Sequence, residues 1–414
     1  MSPRFAACAI ACGFLPSLAP AARPPRPWPP NPFAPLTAAR IAALPAAERA
    51  AWQDYWDASD KLVRAFPERP VPDASPPHAL AGPPKGGLHT KGLRLNAPAA
   101  WYATGAARTI ADRVATAQFA SGGWTKGLDY TRASPPPAPE PGTFDNDATI
   151  FELRFLARVI AAAGAADAAV WRAAFDRGLR YVFAAQYPNG GFPQYYPLRG
   201  GYHDGVTFND DAMVHVLELL QDVAAGRGDY AFVTPPDRAE AADRLARGVA
   251  CVLATQLHGP SGEPTAWCQQ YDPLTLRAAA ARNFEPIADC ARESASIVLF
   301  LMSRPDPSPS LIAAVDGAVA WFRATALHDL RVERAPADTR GETVPAPGAP
   351  PLWARYYEPG TATPIFGDRD RTIHYDLTEV SPERIAGYSW YTDAPASVLK
   401  HYNAWQRRVR AAPR

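Results

Sequence analysis

The sequence predicts an all-α protein: an incomplete α/α toroid of repeated helical hairpins with a large irregular coil region. Three observations predict it. A helical pattern that ends in a glutamine and a glycine-bearing turn recurs, with Gln118, Gln186 and Gln256 spaced 68 and 70 residues apart. A second helical segment follows each copy, its apolar residues recurring at three- and four-residue spacing. Proline, at 46 of 414 residues, is about twice its usual share and gathers outside the periodic segments, which marks long ordered loops.

Taken in order, residues 1–22 place Arg4 before a short apolar run ending in Ala19-Pro20-Ala21. That is the order of a secretory signal peptide, and the run is too short to span a bilayer as a mature helix. Residues 23–36, RPPRPWPPNPFAPL, read as a polyproline-type linker. Residues 37–414 form one large domain. Its repeats begin with ADRVATAQFASGGW, ending at Trp124; LRYVFAAQYPNGGF, ending at Phe192; and VACVLATQLHGPSGEPTAW, ending at Trp267. A fourth copy has Ala326 in the glutamine's place. The second helical segments are 143–164, 207–226, 291–303 and 392–409. One hairpin cannot bury its apolar face alone, so neighbours must pack side by side. Gly122 and Gly190 read as helix C-caps.

Composition excludes several classes. With 42 basic and 41 acidic residues, nothing suggests a nucleic-acid coat or a polybasic membrane surface. Past the leader no stretch has 18 uninterrupted apolar residues, so the mature protein is expected to need no membrane and to be a secreted or periplasmic monomer. Cys251, Cys268 and Cys290 allow at most one disulfide and form no CxxC pair for zinc. No nucleophile elbow, Walker loop, HExxH or dinucleotide fingerprint occurs. His203 and His374 read as polar neighbours of a site.

The hairpin loops carry the candidate chemistry. Asp145-Asn146-Asp147 and Asn209-Asp210-Asp211 stand at matching repeat positions. Oxygen donors converging this way suit calcium, although helix capping also explains each cluster. Lys126 follows Trp124, and Arg282 and Glu285 share ARNFEP. Residues 353–391 interleave aromatics, among them Tyr357, Tyr388 and Trp390, with Arg369 and Arg384. Guanidinium forks hold carboxylates and aromatic faces stack on sugar rings, so the mixture suits an acidic sugar; core packing explains the aromatics equally.

SGGWTKG, TFDNDATIFELRFLARV, YPNGGFPQYYPLRGGYHDGVTFNDDAM, TAWCQQYDPLTLRAAAARNFEP and RYYEPGTATPIFGDRDRTIHYDLTEVSPERIAGYSWY together resemble pectate lyases of polysaccharide lyase family 10. The likeness runs from about residue 90 to 405. It implies the toroid fold and calcium-assisted β-elimination of polygalacturonate. It also implies Arg282 as the base, Asp145 and Asn146 as the family's paired Asp-Asn, Asp145 and Asp210 as metal ligands, and Lys126, Arg369 and Arg384 as basic positions near the substrate. With the residues read above, Asp145, Asn146, Glu285, Tyr357, Tyr388 and Trp390 complete the expected substrate contacts. The segment PIADCARESASI departs from the family pattern and makes Arg292 a rival base. Two other readings stand beside this one: a hydrolase using Asp145 and Asp210 as paired carboxylic acids, and an inactive pectin-binding protein.

Overall fold

The computed structural model describes residues 23–65, 92–131, 142–163, 168–333 and 342–411. The predicted signal peptide, 1–22, lies outside the described residues. The chain opens with a short strand, β1 (Arg26–Pro27), and two helices, α1 (Ala38–Ala42) and α2 (Ala46–Ala65). Helices then alternate between two roles. The first of each pair are α3 (Gly105–Thr116), α5 (Ala169–Ala185), α7 (Pro235–Ala254) and α9 (Pro309–Ala324). The second are α4 (Ile150–Ala162), α6 (Ala212–Ala225), α8 (Ala291–Ser303) and, after a short α10 (Pro382–Gly387), α11 (Ala394–Ala411).

The two sets differ in how their sequences bury them. On α6, Met213, Val214, Val216, Leu217, Leu219 and Leu220 are all buried, so little of the helix surface is left for water. On α7 the buried residues Ala241, Leu245, Gly248 and Val252 form one stripe. Accordingly α4 packs on α6, α6 on α8 and α8 on α11, while α3 meets α5 and α7 meets α9.

Three of the first-set helices start on a hydroxyl cap. Thr104 accepts from Ala107 N–H, Thr234 from Asp237 N–H and Ser308 from Leu311 N–H. The loop-side starts of α4, α6 and α8 have no side-chain cap. The acidic clusters therefore do not serve as helix caps. The helical pattern also starts earlier than the helices do, because Asn146, Asp147, Thr149, Asp210 and Asp211 all have positive φ, which breaks the helix before it begins.

Each repeat glutamine acts as a staple. Gln118 Nε2 donates to Gly122 and Ala174 carbonyls at 2.7 and 2.8 Å. Gln186 Nε2 reaches Gly190 and Arg244 at 3.0 and 2.9 Å, and Gln256 Nε2 reaches Thr265 and Ala314 at 3.0 and 2.9 Å. Each ties its own turn to the next first-set helix. Gly122 and Gly190 are turn residues rather than C-caps. Both have positive φ, and a Cβ there would lie 2.5 Å from Arg177 O and 2.2 Å from Arg247 O respectively.

The coil region is more regular than predicted, so the chain is mostly helical rather than all-α. Its remaining strands are β2 (Val206–Thr207), β3 (Gln270–Tyr271), β4 (Ala278–Ala279), β5 (Asp289–Cys290), β6 (Leu330–Glu333), β7 (Glu342–Pro345), β8 (Trp353–Ala354), β9 (Tyr356–Tyr357), β10 (Pro364–Gly367), β11 (Thr372–His374) and β12 (Tyr391–Thr392). They form a five-stranded sheet in the order β1-β11-β10-β9-β5, a three-stranded sheet β2-β3-β4, and the pairs β12-β8 and β6-β7. Strands this short show no alternation that a sequence could reveal. A second core cluster, including Cys290, Tyr356, Ile365, Phe366, Ile373 and Trp390, lies apart from the helical core. The segment read as a linker packs on this part of the molecule: Arg26 pairs with Ile373, Trp28 lies on the second cluster and Leu36 is buried in the main core. Cys251, Cys268 and Cys290 are buried and unpaired with one another.

Candidate active site

The positive-φ turns before α4 and α6 touch each other, and the turn before α6 touches α8. This brings the two acidic clusters together, as the repeat arithmetic predicts. Such backbone conformations cost of order 1–3 kcal/mol each and persist where the surroundings hold them. Thr143 holds the first turn, accepting from Asp145 N–H at 3.0 Å and donating to Gln194 O at 2.8 Å. The Asp145 carboxylate is buried and pairs with Lys126. Burial pulls the Lys126 ammonium down, but Asp145 and Tyr195 outweigh it and leave it above its ordinary range.

Asp210 faces a different set of charges. Its Oδ1 lies 3.7 Å from Arg355, which also pairs with the buried Glu293. Burial raises the Asp210 carboxyl above its ordinary range; Glu293 and Asp145 add to the rise, and Arg355 and Arg282 oppose it. Beside it, Asn209 Oδ1 accepts from Gln269 Nε2.

Arg282 is fixed by Glu285. The Arg282 N–H and Nε donate to Oε2 at 3.1 and 2.8 Å, and Nη2 donates to Oε1. Its guanidinium lies 4.9 Å from the Phe284 ring centre and 5.8 Å from that of Tyr388. Burial lowers the guanidinium, but the Glu285 carboxylate outweighs it, so Arg282 is held well above its ordinary range. The partner moves the other way: Arg282 overrides the burial of Glu285 and holds that carboxyl below its ordinary range.

A hydrogen-bonded chain joins the two centres. Tyr388 O–H donates to Glu285 Oε1 at 2.9 Å, Tyr356 O–H reaches Gln269 Oε1 at 2.8 Å, and the two hydroxyls are 2.5 Å apart. Two hydroxyl protons serve three contacts. Glu285 is ionised, so it takes the Tyr388 proton, and the Tyr356 proton is shared between Tyr388 and Gln269. Arg355 stacks over Tyr388 at 4.6 Å. Three guanidiniums, those of Arg282, Arg369 and Arg384, surround the Phe284 ring at 4.9, 5.6 and 4.4 Å. Glu383 bridges two of them, Arg369 and Arg384, and with Glu285 on Arg282 leaves the trio with one net positive charge; Arg369 and then Arg384 pull the Glu383 carboxyl down to about 2.

The site thus combines paired carboxylates, a held arginine and a bank of cations on loops between helices. The family model for pectic acid lyases matches residues 118–399. The chain belongs to the pectic acid lyase family. It is therefore a lyase acting on polysaccharide, and the hydrolase and inactive-binder readings give way. Among solved structures, the family 10 polysaccharide lyase from Cellvibrio cellulosa matches with a TM-score of 0.67 and 33% identity, over 77% of this chain and 99% of that one. A point mutant of that lyase in complex with trigalacturonic acid matches with a TM-score of 0.66 and 33% identity, over 76% and 99%. No curated protein matched.

In this lyase, Lys126, Asp145, Asp210, Arg282, Glu285 and Tyr388 come together, and Arg369 and Arg384 join them around Phe284. Asn146 stands between the two buried aspartates of its turn, Asp145 and Asp147. Two expectations need correction. Tyr357 is fully buried, donates to Thr325 O at 2.7 Å and accepts from Ala354 N–H at 3.0 Å; it is a core residue, not a substrate contact. Trp390 is likewise buried and donates to Arg384 O at 2.9 Å. Glu285 and Arg384 are also buried, and they hold neighbouring groups: Glu285 fixes Arg282, and the Arg384 carbonyl accepts from Trp390. Arg292 pairs with Asp211 at 2.8 Å, and Glu293 and Arg355 also act on it. The sequence reading missed Gln269 and Glu293 as network members, while Arg355 and Tyr356 belong to the aromatic and basic stretch 353–391 that it singled out. It also missed Tyr202, half-buried, on which Arg282, Glu285, Asp145 and Lys126 all act; burial foremost raises its hydroxyl to about 12. Gln269 and Tyr202 stand in segments between the helices, with no periodicity to betray them, and Glu293 is a buried polar residue on the first turn of α8.

Proposed function

We propose that the lyase is a secreted or periplasmic pectate lyase built on an incomplete α/α toroid. It cleaves α-1,4-linked polygalacturonate by calcium-assisted β-elimination and releases 4,5-unsaturated oligogalacturonides. The observation that carries this reading is the convergence of the Asp145 and Asp210 turns beside an arginine locked to Glu285. The trigalacturonic acid held by the similar mutant lyase supports the substrate class, and the two rows of helices support the toroid.

The donor set fits calcium. It consists of hard oxygens, and the Asp210 carboxyl is held up by burial and then by Glu293 and Asp145, a strain that a divalent cation beside it relieves. Among the described residues no group of three or more His, Cys, Asp or Glu side chains forms a metal cage. Two protein carboxylates leave room for a uronate carboxylate. Bound calcium would supply Lewis-acid charge to that carboxylate and so acidify the neighbouring C5 proton.

The chain's own residues carry the remaining steps. Arg282, as the neutral guanidine, takes the proton from C5 at a nitrogen and becomes the guanidinium, the electron pair forms the C4–C5 double bond, and the glycosidic oxygen on C4 leaves with a proton from solvent. Glu285 and Phe284 fix the direction of Arg282. Lys126 and Arg369 supply fixed positive charge where negative charge develops. Glu285 favours the charged guanidinium, so the neutral base has to come from burial and from the cations gathered around it, bound calcium included.

The test is ultraviolet absorbance of polygalacturonate mixed with the mature protein, with calcium and with chelator. A calcium-dependent rise is expected. In Asp210→Ala the rate at limiting calcium should fall at least tenfold and recover in part at high calcium. Reducing ends without absorbance, or an Asp210→Ala variant with unchanged calcium response, would overturn the reading.

A further inference from the structure

The segment from Arg26 to Arg40 lies before the region that the family model matches, which begins at residue 118. Its contacts nevertheless converge on the loop that carries Arg282. We infer that this N-terminal segment is a clamp for the catalytic arginine, and that Asn31 is its positioning residue. The inference rests on Arg282 being the base proposed above.

The argument starts from the backbone. Strand β4 is the edge of its three-stranded sheet and ends at Ala279. Ala280, two residues before Arg282, is buried and has no further strand to pair with. A buried peptide group left unpaired costs about 1–3 kcal/mol, so it needs a partner. Asn31 provides one on both sides. Its Nδ2 donates to Ala280 O at 3.1 Å, and its Oδ1 accepts from Ala280 N–H at 3.1 Å. The carboxamide imitates a neighbouring strand at a single residue. The fixed polarity of the Ala280 peptide groups determines which way the carboxamide faces.

The far flank of Arg282 is held through the same segment. Asn283 Oδ1 accepts from Arg371 Nε at 3.1 Å, and Arg371 O accepts from Trp28 N–H at 3.0 Å. Strand β1 pairs with β11, so the strand that follows Arg371 takes its register from the clamp. A cavity of about 340 Å³ lies between the two flanks, lined by Trp28, Pro30, Asn31, Ala281 and Arg371. The clamp is itself anchored at both ends. Arg26 reaches Glu358 at 2.8 Å and Tyr375 at 3.1 Å. Ala34 N–H and both Asp272 oxygens are joined through contacts of 2.9–3.2 Å that include Arg40. Five prolines between Pro24 and Pro30 stiffen the chain that delivers Asn31, which lowers the entropy lost on docking.

A purely structural role would lower stability and leave turnover per folded molecule alone. A positioning role lowers turnover while substrate affinity and fold persist, because a small misplacement of the base is costly. The experiment compares the full chain with Asn31→Ala and Asn31→Asp. The aspartate keeps the acceptor and loses the donor. Hydrogen exchange is followed over 278–286 and over α6, together with kcat, KM and melting temperature. The expected result is exchange at least tenfold faster over 278–286 with α6 unchanged, and kcat about tenfold lower at a KM within twofold. Asn31→Asp should fall between the two. Unchanged exchange over 278–286 overturns the clamp. Unchanged kcat, or a kcat loss that disappears once the folded fraction is corrected for, overturns the positioning role. Exchange does not depend on activity, so it decides the clamp even if the wild-type chain leaves polygalacturonate uncut.

Discussion

Arg282 makes three contacts with one carboxylate and stacks on two aromatic rings, so its direction is set before any substrate arrives. A lysine keeps the charge but has neither the fork nor the planar face. Arg282→Lys should therefore lower kcat at least a hundredfold with little change in melting temperature; near-wild-type turnover in a steady-state assay would remove Arg282 as the base. The short motifs around Arg282, Asp145 and Asp210 made these residues legible in the sequence. Tyr357 and Trp390 were misread because aromatic composition does not distinguish a ring that meets substrate from one that fills a core. Here each ring's polar atom is tied to a backbone carbonyl, which decides the matter.

At the scale of elements, the glutamine spacing was the strongest signal, and the structure gives its physical cause. One carboxamide satisfies two backbone carbonyls at a turn and so joins successive hairpins. Gln186→Ala removes both bonds, the Arg244 carbonyl keeping its helical partner, and should cost about 1–3 kcal/mol in chemical denaturation. Helix α4 makes a second prediction. Glu152 is fully buried, accepts from Tyr130 O–H at 2.9 Å, and burial raises its carboxyl to about 7. The folded chain thus binds a proton that the unfolded chain has already released. Glu152 contributes stability below the ordinary carboxylate range and loses it as pH rises through about 7. Glu152→Gln keeps an acceptor for Tyr130 and cannot ionise. It should melt higher than wild type at pH 8, by on the order of 2 kcal/mol, and close to wild type at pH 5. A difference independent of pH would show that Glu152 is not the titrating group. Helix positions were readable because burial imposes a period; the short strands were not, since two residues contain no period at all.

For the whole molecule, the repeat order set which loops meet, and that much could be read from the spacing of homologous segments. What could not be read was the return of the N-terminal segment to the catalytic end. A proline-rich stretch has the same composition whether it spans open solvent or docks as an edge strand, and only the distant partners Ile373, Ala280 and Asp272 distinguish the two. No helix of the described residues is long and apolar enough to cross a membrane. If the first 22 residues are a cleaved signal, N-terminal sequencing of the exported chain should begin between residues 20 and 24, just ahead of the clamp. An exported chain that keeps Met1 would refute cleavage.

The three thiols past the leader, Cys251, Cys268 and Cys290, are buried, and burial pushes each of them above the ordinary thiol range, Cys251 to about 12. A thiol that is both shielded and protonated reacts only when the surrounding structure opens. Cys290 stands at the start of α8 with its Sγ 2.5 Å from Glu293, the same carboxylate that pairs with Arg355 beside Asp210. The molecule therefore carries an internal clock: the rate at which a small alkylating reagent marks Cys290 times the opening of the catalytic end, while Cys251, on α7, times the loosening of the helices behind it.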